Sequence, residues 1–327
     1  MDPRPASSEQ GVSGSPAAPS GDGRDAAALR ARVAQLKVER NAVVLAHNYQ
    51  LGEIQEAADH IGDSLELSRI AAHSAADVIV FCGVHFMAET AAILAPEKTV
   101  LLPVLDADCP MARMAGADEL RRMKARHPGA RVVCYVNTTA EVKAECDICC
   151  TSANAVAIVS RMPPEDEIIF VPDSNLGRYV ESRAGRRLHL WPGRCPAHAR
   201  LRAEDVLEKR RQFPGAEVIV HPESPPEVTQ LADAVLSTGG MVRRARESRA
   251  PVIVVGTEIG LLFRLRRENP DKRFVPLSEQ AVCPDMKRIA LEDLVASLEH
   301  LQHRVTVPAD TRRAAERAVA RMIEVDA

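Results

Sequence analysis

"DADCPMARM" (residues 106–114), "PGRCPAHAR" (192–200) and "QAVCPDMKR" (280–288) occur in one chain of 327 residues. Each joins a cysteine to a proline and runs on into a short stretch of helical composition. The cysteines, Cys109, Cys195 and Cys283, stand 86 and 88 residues apart, a period the size of a small domain. Self-similarity at a fixed period is the signature of a repeated structural unit. Each Cys-Pro can therefore be taken as the end of a unit and the chain read backwards from it.

Before each one lies a short apolar run: "TVLLPV" (99–104), "RLHLW" (187–191) and "RFVPL" (273–277). Further back come helical patterns, "MAETAAILAPEK", "LGRYVESRAGR" and "GLLFRLRRENP", and before them the apolar strands "DVIVFCG", "EIIFVPD" and "PVIVVGT". Hydroxyl-bearing turns precede these, with Ser64, Ser152, and Ser237 beside Thr238. Each unit opens on a β-branched strand that ends in polar groups: "AVVLAHNY" (42–49), "RVVCYVN" (131–137) and "EVIVHPE" (217–223). His47 to Ser64 and Tyr135 to Ser152 are both 17 residues, and His221 to Ser237 is 16.

Strands alternating with helical patterns predict βαβ units and parallel sheets. The expected fold is α/β: three homologous three-layer αβα domains with parallel four-stranded sheets, in a pseudo-threefold arrangement around a central active site. The expected boundaries are a disordered N-terminal tail over 1–27, a first domain over 28–112 completed by C-terminal helices in 304–327, a second over 113–198 and a third over 199–303. "LEDLVASLEHLQ" (291–302) and "TRRAAERAVARMIEV" (311–325) read as closing helices. Ligands of such sheets bind beyond the carboxyl ends of the strands. His47, Tyr49, Tyr135, Asn137, His221, Glu223 and the three Cys-Pro turns all fall there.

Composition narrows the function classes. Aromatic residues make up 3% of the chain, so aliphatic side chains must build the core. A net charge of −3 gives no electrostatic reason to expect nucleic acid or an anionic membrane as partner. The arginines at 243, 244, 246 and 249 read as a solvated helix face. No apolar run approaches the roughly 20 residues of a membrane helix, and the N-terminus lacks a signal-peptide core. A cytoplasmic protein is expected, so the eight cysteines read as thiols or metal ligands rather than disulfides.

Proline suits the first turn of a helix, so each Cys-Pro cysteine is expected near a helix N-terminus, where the dipole favours thiolate. Three sulfur ligands without a fourth leave one metal position open, as a catalytic metal requires. A [4Fe–4S] cluster held by three cysteines has this property. Three-ligand zinc and three inert buried thiols fit the same pattern. The other cysteine group, "CDICC" with Cys146, Cys149 and Cys150, is expected in a helix-to-turn segment as packing thiols or a redox pair, and Cys82 and Cys134 read as core.

"AHNYQ", "GDSLELS", "FMAET", "YVNTTAEVKAECDICCTSANA", "PDSNLGRYV", "HPESP", "STGGM" and "CPDMKRI" together resemble the quinolinate synthase family over about residues 30–303. The resemblance implies a [4Fe–4S] cluster on Cys109, Cys195 and Cys283. It also implies condensation of iminoaspartate with dihydroxyacetone phosphate in de novo NAD biosynthesis, with a functional link to an aspartate-oxidising enzyme. Some members carry C-x-x-C-x-x-C at the third ligand, whereas this chain has Cys283 alone. Ser64, Ser152 and Thr238 are implied substrate contacts, although a hydroxyl at such a turn can equally be an N-cap. His47 and His221 are candidates for carboxylate binding and proton transfer, Glu223 for the general base, and Tyr49 for a proton relay. Tyr135 and Asn137 are candidates to orient iminoaspartate, with Val136 and Pro222 included in the same strand-end segments. Another [4Fe–4S] hydro-lyase, a cluster-sensing binding protein and an inert scaffold are the competing functions.

Overall fold

A computed structural model describes residues 23–326. The first unit contains β1 (Ala42–His47), β2 (His60–Gly62), β3 (Val78–Cys82) and β4 (Thr99–Leu101). The second contains β5 (Arg131–Tyr135), β6 (Ile148–Cys150), β7 (Ile168–Val171) and β8 (His189–Leu190). The third contains β9 (Glu217–Val220), β10 (Ala234–Val235), β11 (Val252–Gly256) and β12 (Arg273–Pro276). Strand orders are β2-β1-β3-β4, β6-β5-β7-β8 and β10-β9-β11-β12, and every pairing is parallel. The α/β class and the three parallel four-stranded sheets expected from the sequence are what the molecule has.

Helices repeat as the strands do. The first unit carries α1 (Gly23–Glu39), α2 (Gly52–Ala57), α3 (Ser64–His73) and α4 (His85–Leu94). The second carries α5 (Ala117–Arg126), α6 (Ala140–Ala144), α7 (Ala155–Ser160) and α8 (Ser174–Ala184). The third carries α9 (Ala203–Gln212), α10 (Pro226–Thr229), α11 (Thr238–Glu247) and α12 (Leu261–Glu268), followed by α13 (Leu291–His300) and α14 (Ala309–Glu324). Of the expected tail 1–27, residues 23–27 are instead the start of α1, which runs on through the helix-forming Ala26, Ala27, Ala28 and Leu29; residues 1–22 lie outside the described residues. α14 packs on α3 and α4 and also on α6 and β6, so it spans the first two units. The Asn154 amide donates to the carbonyls of Met322 (2.9 Å) and Val325 (3.1 Å).

One aspartate per unit locks the sheet. Val44, Val132 and Val218 each donate their N–H to the side chain of an aspartate 15 residues later, at 2.8, 2.8 and 2.7 Å. These are Asp59, Asp147 and Asp233, and each returns its own N–H to the carbonyl of the same valine. The reciprocal pair fixes the entry of each second strand and satisfies both backbone groups at that edge. "CDICC" begins in the turn after α6, as expected, but its last three residues are strand: Ile148–Cys150 pairs with β5, placing Cys134 beside Cys149. Cys146, Cys149 and Cys150 are buried, as are Cys82 and Cys134. The arginine-rich face of α11 is exposed, with Arg244 on Glu217 (2.5 Å) and Arg246 on Glu268 (2.6 Å).

Gly193 sets the path of the second Cys-Pro loop. Its carbonyl accepts from the Ser174 N–H (2.8 Å) and hydroxyl (2.9 Å) at the start of α8. A Cβ at Gly193 would lie 2.5 Å from the Pro172 carbonyl oxygen, a backbone atom that cannot rotate away. Gly193→Ala is expected to cost about 1–3 kcal/mol by overpacking, and denaturant unfolding against wild type measures it. An unchanged midpoint would mean that the loop relaxes freely.

Candidate active site

The three sheets deliver matching side chains to one enclosed cavity. His47, Tyr135 and His221 occupy the same step at the ends of β1, β5 and β9, and all line it. Two residues on, Tyr49, Asn137 and Glu223 line it too; 17 residues on from the first set come Ser64, Ser152 and Thr238. The matching hydroxyl in the third unit is thus Thr238 rather than Ser237, and the spacing becomes uniform. Val136 and Pro222 are not in the lining. They are the intervening residues, and alternate residues of an extended chain face opposite ways.

The capping alternative for the hydroxyls resolves by one position. Asp63 caps α3, accepting from the N–H groups of Leu65 and Glu66, and Ser237 caps α11, accepting from Gly240. Ser64 and Thr238 are the first residues inside those helices and are free to face the cavity. Thr238 Oγ1 accepts from Asn48 Nδ2 at 2.9 Å, and Ser152 Oγ lies 3.1 Å from His221 Nε2.

The strand-end histidines share one arrangement. The Tyr49 N–H donates to His47 Nδ1 (3.2 Å), and the Glu223 N–H donates to His221 Nδ1 (3.3 Å). A ring whose Nδ1 accepts carries its proton on Nε2. Burial, reinforced by His221, pushes His47 down from 6.5 to about 3, and burial likewise lowers His221. His47 is therefore a neutral hydrogen-bond donor near neutral pH, whereas His221 Nδ1 also faces Glu223 Oε2 at 3.3 Å. Unfolded His47 binds a proton below pH 6.5 while the folded form stays neutral to about pH 3. Stability from this group is accordingly complete above 6.5 and falls as pH drops through that window, by about 1.4 kcal/mol per unit. His47→Gln should show a shallower loss of stability than wild type in urea titrations from pH 7 to 4; parallel curves would refute the assignment.

Glu223 is 3% exposed. Burial favours its neutral form, but the His198 and His221 imidazoles outweigh burial and hold the carboxyl below its usual range. Oε2 lies 2.8 Å from His198 Nδ1 and 3.3 Å from His221 Nδ1, whereas buried Oε1 has no partner. The Asn137 side-chain oxygen is also buried without a partner. Unsatisfied buried acceptors are costly and mark a place where a ligand completes the bonding. Tyr49 Oη sits 2.6 Å from Thr257 Oγ1 and 3.4 Å from His198 Nε2. Burial, then the charge of Glu223, pushes both Tyr49 and Tyr135 well above the ordinary tyrosine range.

Sequence reasoning missed His198, although it lies within the quoted "PGRCPAHAR". Its Nδ1 faces both Glu223 and Cys195 Sγ (3.2 Å), and its Nε2 reaches Thr257 Oγ1 at 2.9 Å. Its spacing, three residues after Cys195, was the available signal. Asp63, Thr151, Met87 and Met286 also line the cavity. The two methionines carried no sequence signal, since apolar side chains at such positions read as core.

The three Cys-Pro turns lead into 3₁₀ turns at Ala112–Met114, His198–Arg200 and Pro284–Lys287. The Ala112 N–H donates to the Cys109 carbonyl and the Ala199 N–H to the Cys195 carbonyl, each at 2.9 Å, closing the first two turns. Against the lowering expected from helix dipoles, burial pushes Cys109 up to about 12 and raises Cys195 and Cys283. Two loops are further braced by acids at equivalent positions. Asp173 accepts from the Cys195 N–H (3.0 Å) and Glu258 from the Cys283 N–H (3.2 Å), while Val84 stands there in the first unit. Cys195, His198 and Glu223 also offer ligand atoms within 4.8 Å of one another.

A family model described as quinolinate synthetase A protein matches residues 31–324. The chain belongs to the quinolinate synthase family. It is 60% identical over 294 residues to the quinolinate synthase of Dehalococcoides mccartyi strain 195, covering 90% of this chain and 97% of that one. It is 54% identical over 299 residues to that of Methanoregula boonei, covering 91% and 99%. With the quinolinate synthase of Geobacter sp. strain M21 it shares 54% identity over 297 residues, covering 91% and 97%. Among the described residues no helix is long and apolar enough to cross a membrane.

Proposed function

We infer that this chain is a quinolinate synthase that condenses iminoaspartate with dihydroxyacetone phosphate. Balancing atoms gives quinolinate, phosphate and two waters, with one new C–C and one new C–N bond closing the ring. The observation that carries the reading is the convergence of three equivalent side-chain sets on one cavity, which Met286 of the third Cys-Pro loop also lines and which His198 links from Glu223 to Cys195. The competing hydro-lyase reading is not favoured, since the relatives named above are quinolinate synthases over nearly their whole length.

Cys109, Cys195 and Cys283 would hold a [4Fe–4S] cluster. The donor set fits: each Cys-Pro loop offers one partly accessible sulfur, whereas the other five cysteines are buried. When bound, such a cluster supplies one open iron as a Lewis acid.

The chain's own residues bind, orient and move protons. The hydroxyls of Ser64, Ser152 and Thr238 would take substrate carboxylate and phosphate oxygens, two of them at the first residue of a helix. His47 donates from Nε2, and Tyr135 with Asn137 orients iminoaspartate. Glu223 accepts protons at Oε1 as rings close and water leaves. His198 holds Oε2 and continues to Thr257 and Tyr49, a route by which a proton can leave. Val136 and Pro222 would contribute only backbone. The imine must come from an enzyme that oxidises aspartate, and the reaction is assigned to the cytoplasm, with neither nucleic acid nor membrane as partner.

The test is anaerobic assay with both substrates. Quinolinate and phosphate appearing in equal amounts, without dehydration of simple hydroxy acids, is expected. Hydroxy-acid dehydration with no quinolinate would overturn the reading.

A further inference from the structure

The opposite edge of the second sheet carries a group of ligand-type side chains that the cavity does not use. We propose that His127, Glu167 and His189 form a separate binding site for a divalent transition-metal ion of the zinc class.

His127 ends α5, Glu167 immediately precedes β7 and His189 begins β8. All three lie at the amino-terminal side of the sheet, whereas the cavity lies beyond the carboxyl ends. Glu167 Oε2 is 3.1 Å from His189 Nε2 and 3.7 Å from His127 Nδ1. One ligand atom from each residue falls within 4.8 Å of the others. Two imidazole nitrogens and a carboxylate oxygen are a zinc donor set, with a position left for water. The residues are partly exposed, so an ion can reach them.

The backbone beneath is fixed. The Glu167 carbonyl accepts from the Arg131 N–H (2.8 Å), and the His127 carbonyl from the Ala130 N–H (3.1 Å). The nearby Arg131 guanidinium is turned to Asp166 (3.3 Å) and Asp147 (3.6 Å), leaving the Glu167 carboxylate to the histidines.

The repeat supplies an internal control. "HPGA" at 127–130 matches "FPGA" at 213–216, so Phe213 is the counterpart of His127. There the ring packs under the Arg273 guanidinium, 5.0 Å away. A flat ring packs at this place in both units, His127 against the His189 ring with centroids 3.8 Å apart; the ring nitrogens and the Glu167 carboxylate are what the second unit adds.

The experiment uses holoprotein prepared anaerobically, so that the cavity cysteines keep their own metal. It is washed with chelator and titrated with zinc against a chromophoric competitor. Wild type should bind one equivalent with micromolar or tighter affinity. His127→Phe, which installs the ring of the third unit, should weaken it at least about tenfold, as should Glu167→Gln, with quinolinate turnover unchanged in both. Zinc bound equally by His127→Phe, no retained equivalent in wild type, or an equivalent that disappears only in Cys109→Ala would each overturn the proposal.

Discussion

Cys109→Ala is expected to strip the protein of most of its iron and to bring quinolinate formation to background. The loss follows from the threefold arrangement. Under the proposed cluster assignment each unit would supply one sulfur, and among the described residues the other cysteines are poorly placed to replace it: Cys82, Cys134, Cys146, Cys149 and Cys150 are buried in or beside the sheets. Iron and sulfide analysis after anaerobic purification measures the effect. Cys82→Ala, which removes a fully buried thiol from β3, is the control and should keep its iron. A Cys109→Ala protein with full iron content would remove the cofactor assignment, and one loaded with zinc would point to the other metal.

Glu223→Gln should retain iron and fold but lose turnover by about 10²–10⁴-fold, the usual worth of a positioned general base. The carboxamide oxygen can still accept from His198 Nδ1, now 2.8 Å from Oε2, so the pocket need not collapse. What disappears is the charge at Oε1, the buried acceptor with no partner. Turnover near the wild-type rate would transfer the base role elsewhere, with Tyr49 on the Thr257–His198 chain as the next candidate.

Much of this architecture was legible in the chain because a triplication is written in residue order. The spacings of 17, 17 and 16 residues from each first-strand end picked out Ser64, Ser152 and Ser237; the cavity is lined by Ser64, Ser152 and Thr238, one residue on in the third unit. The reading slipped where local pattern is ambiguous. "CDICC" is too short to separate strand from helix by periodicity, and it took Asp147 bonded to Val132 to make it a strand. For the cysteines it is burial that raises the thiols, and burial is not visible in a Cys-Pro dipeptide.

Sequence alone determined the repeated units, their strand-and-helix order and the identity of the groups aimed at the centre, because hydrophobic periodicity and spacing are properties of the chain in one dimension. Only the tertiary structure decided the ionisation of those groups. His47 is neutral because it is buried, Glu223 is charged because His198 from another unit lies against it, and both facts depend on dielectric and distance between residues far apart in the chain.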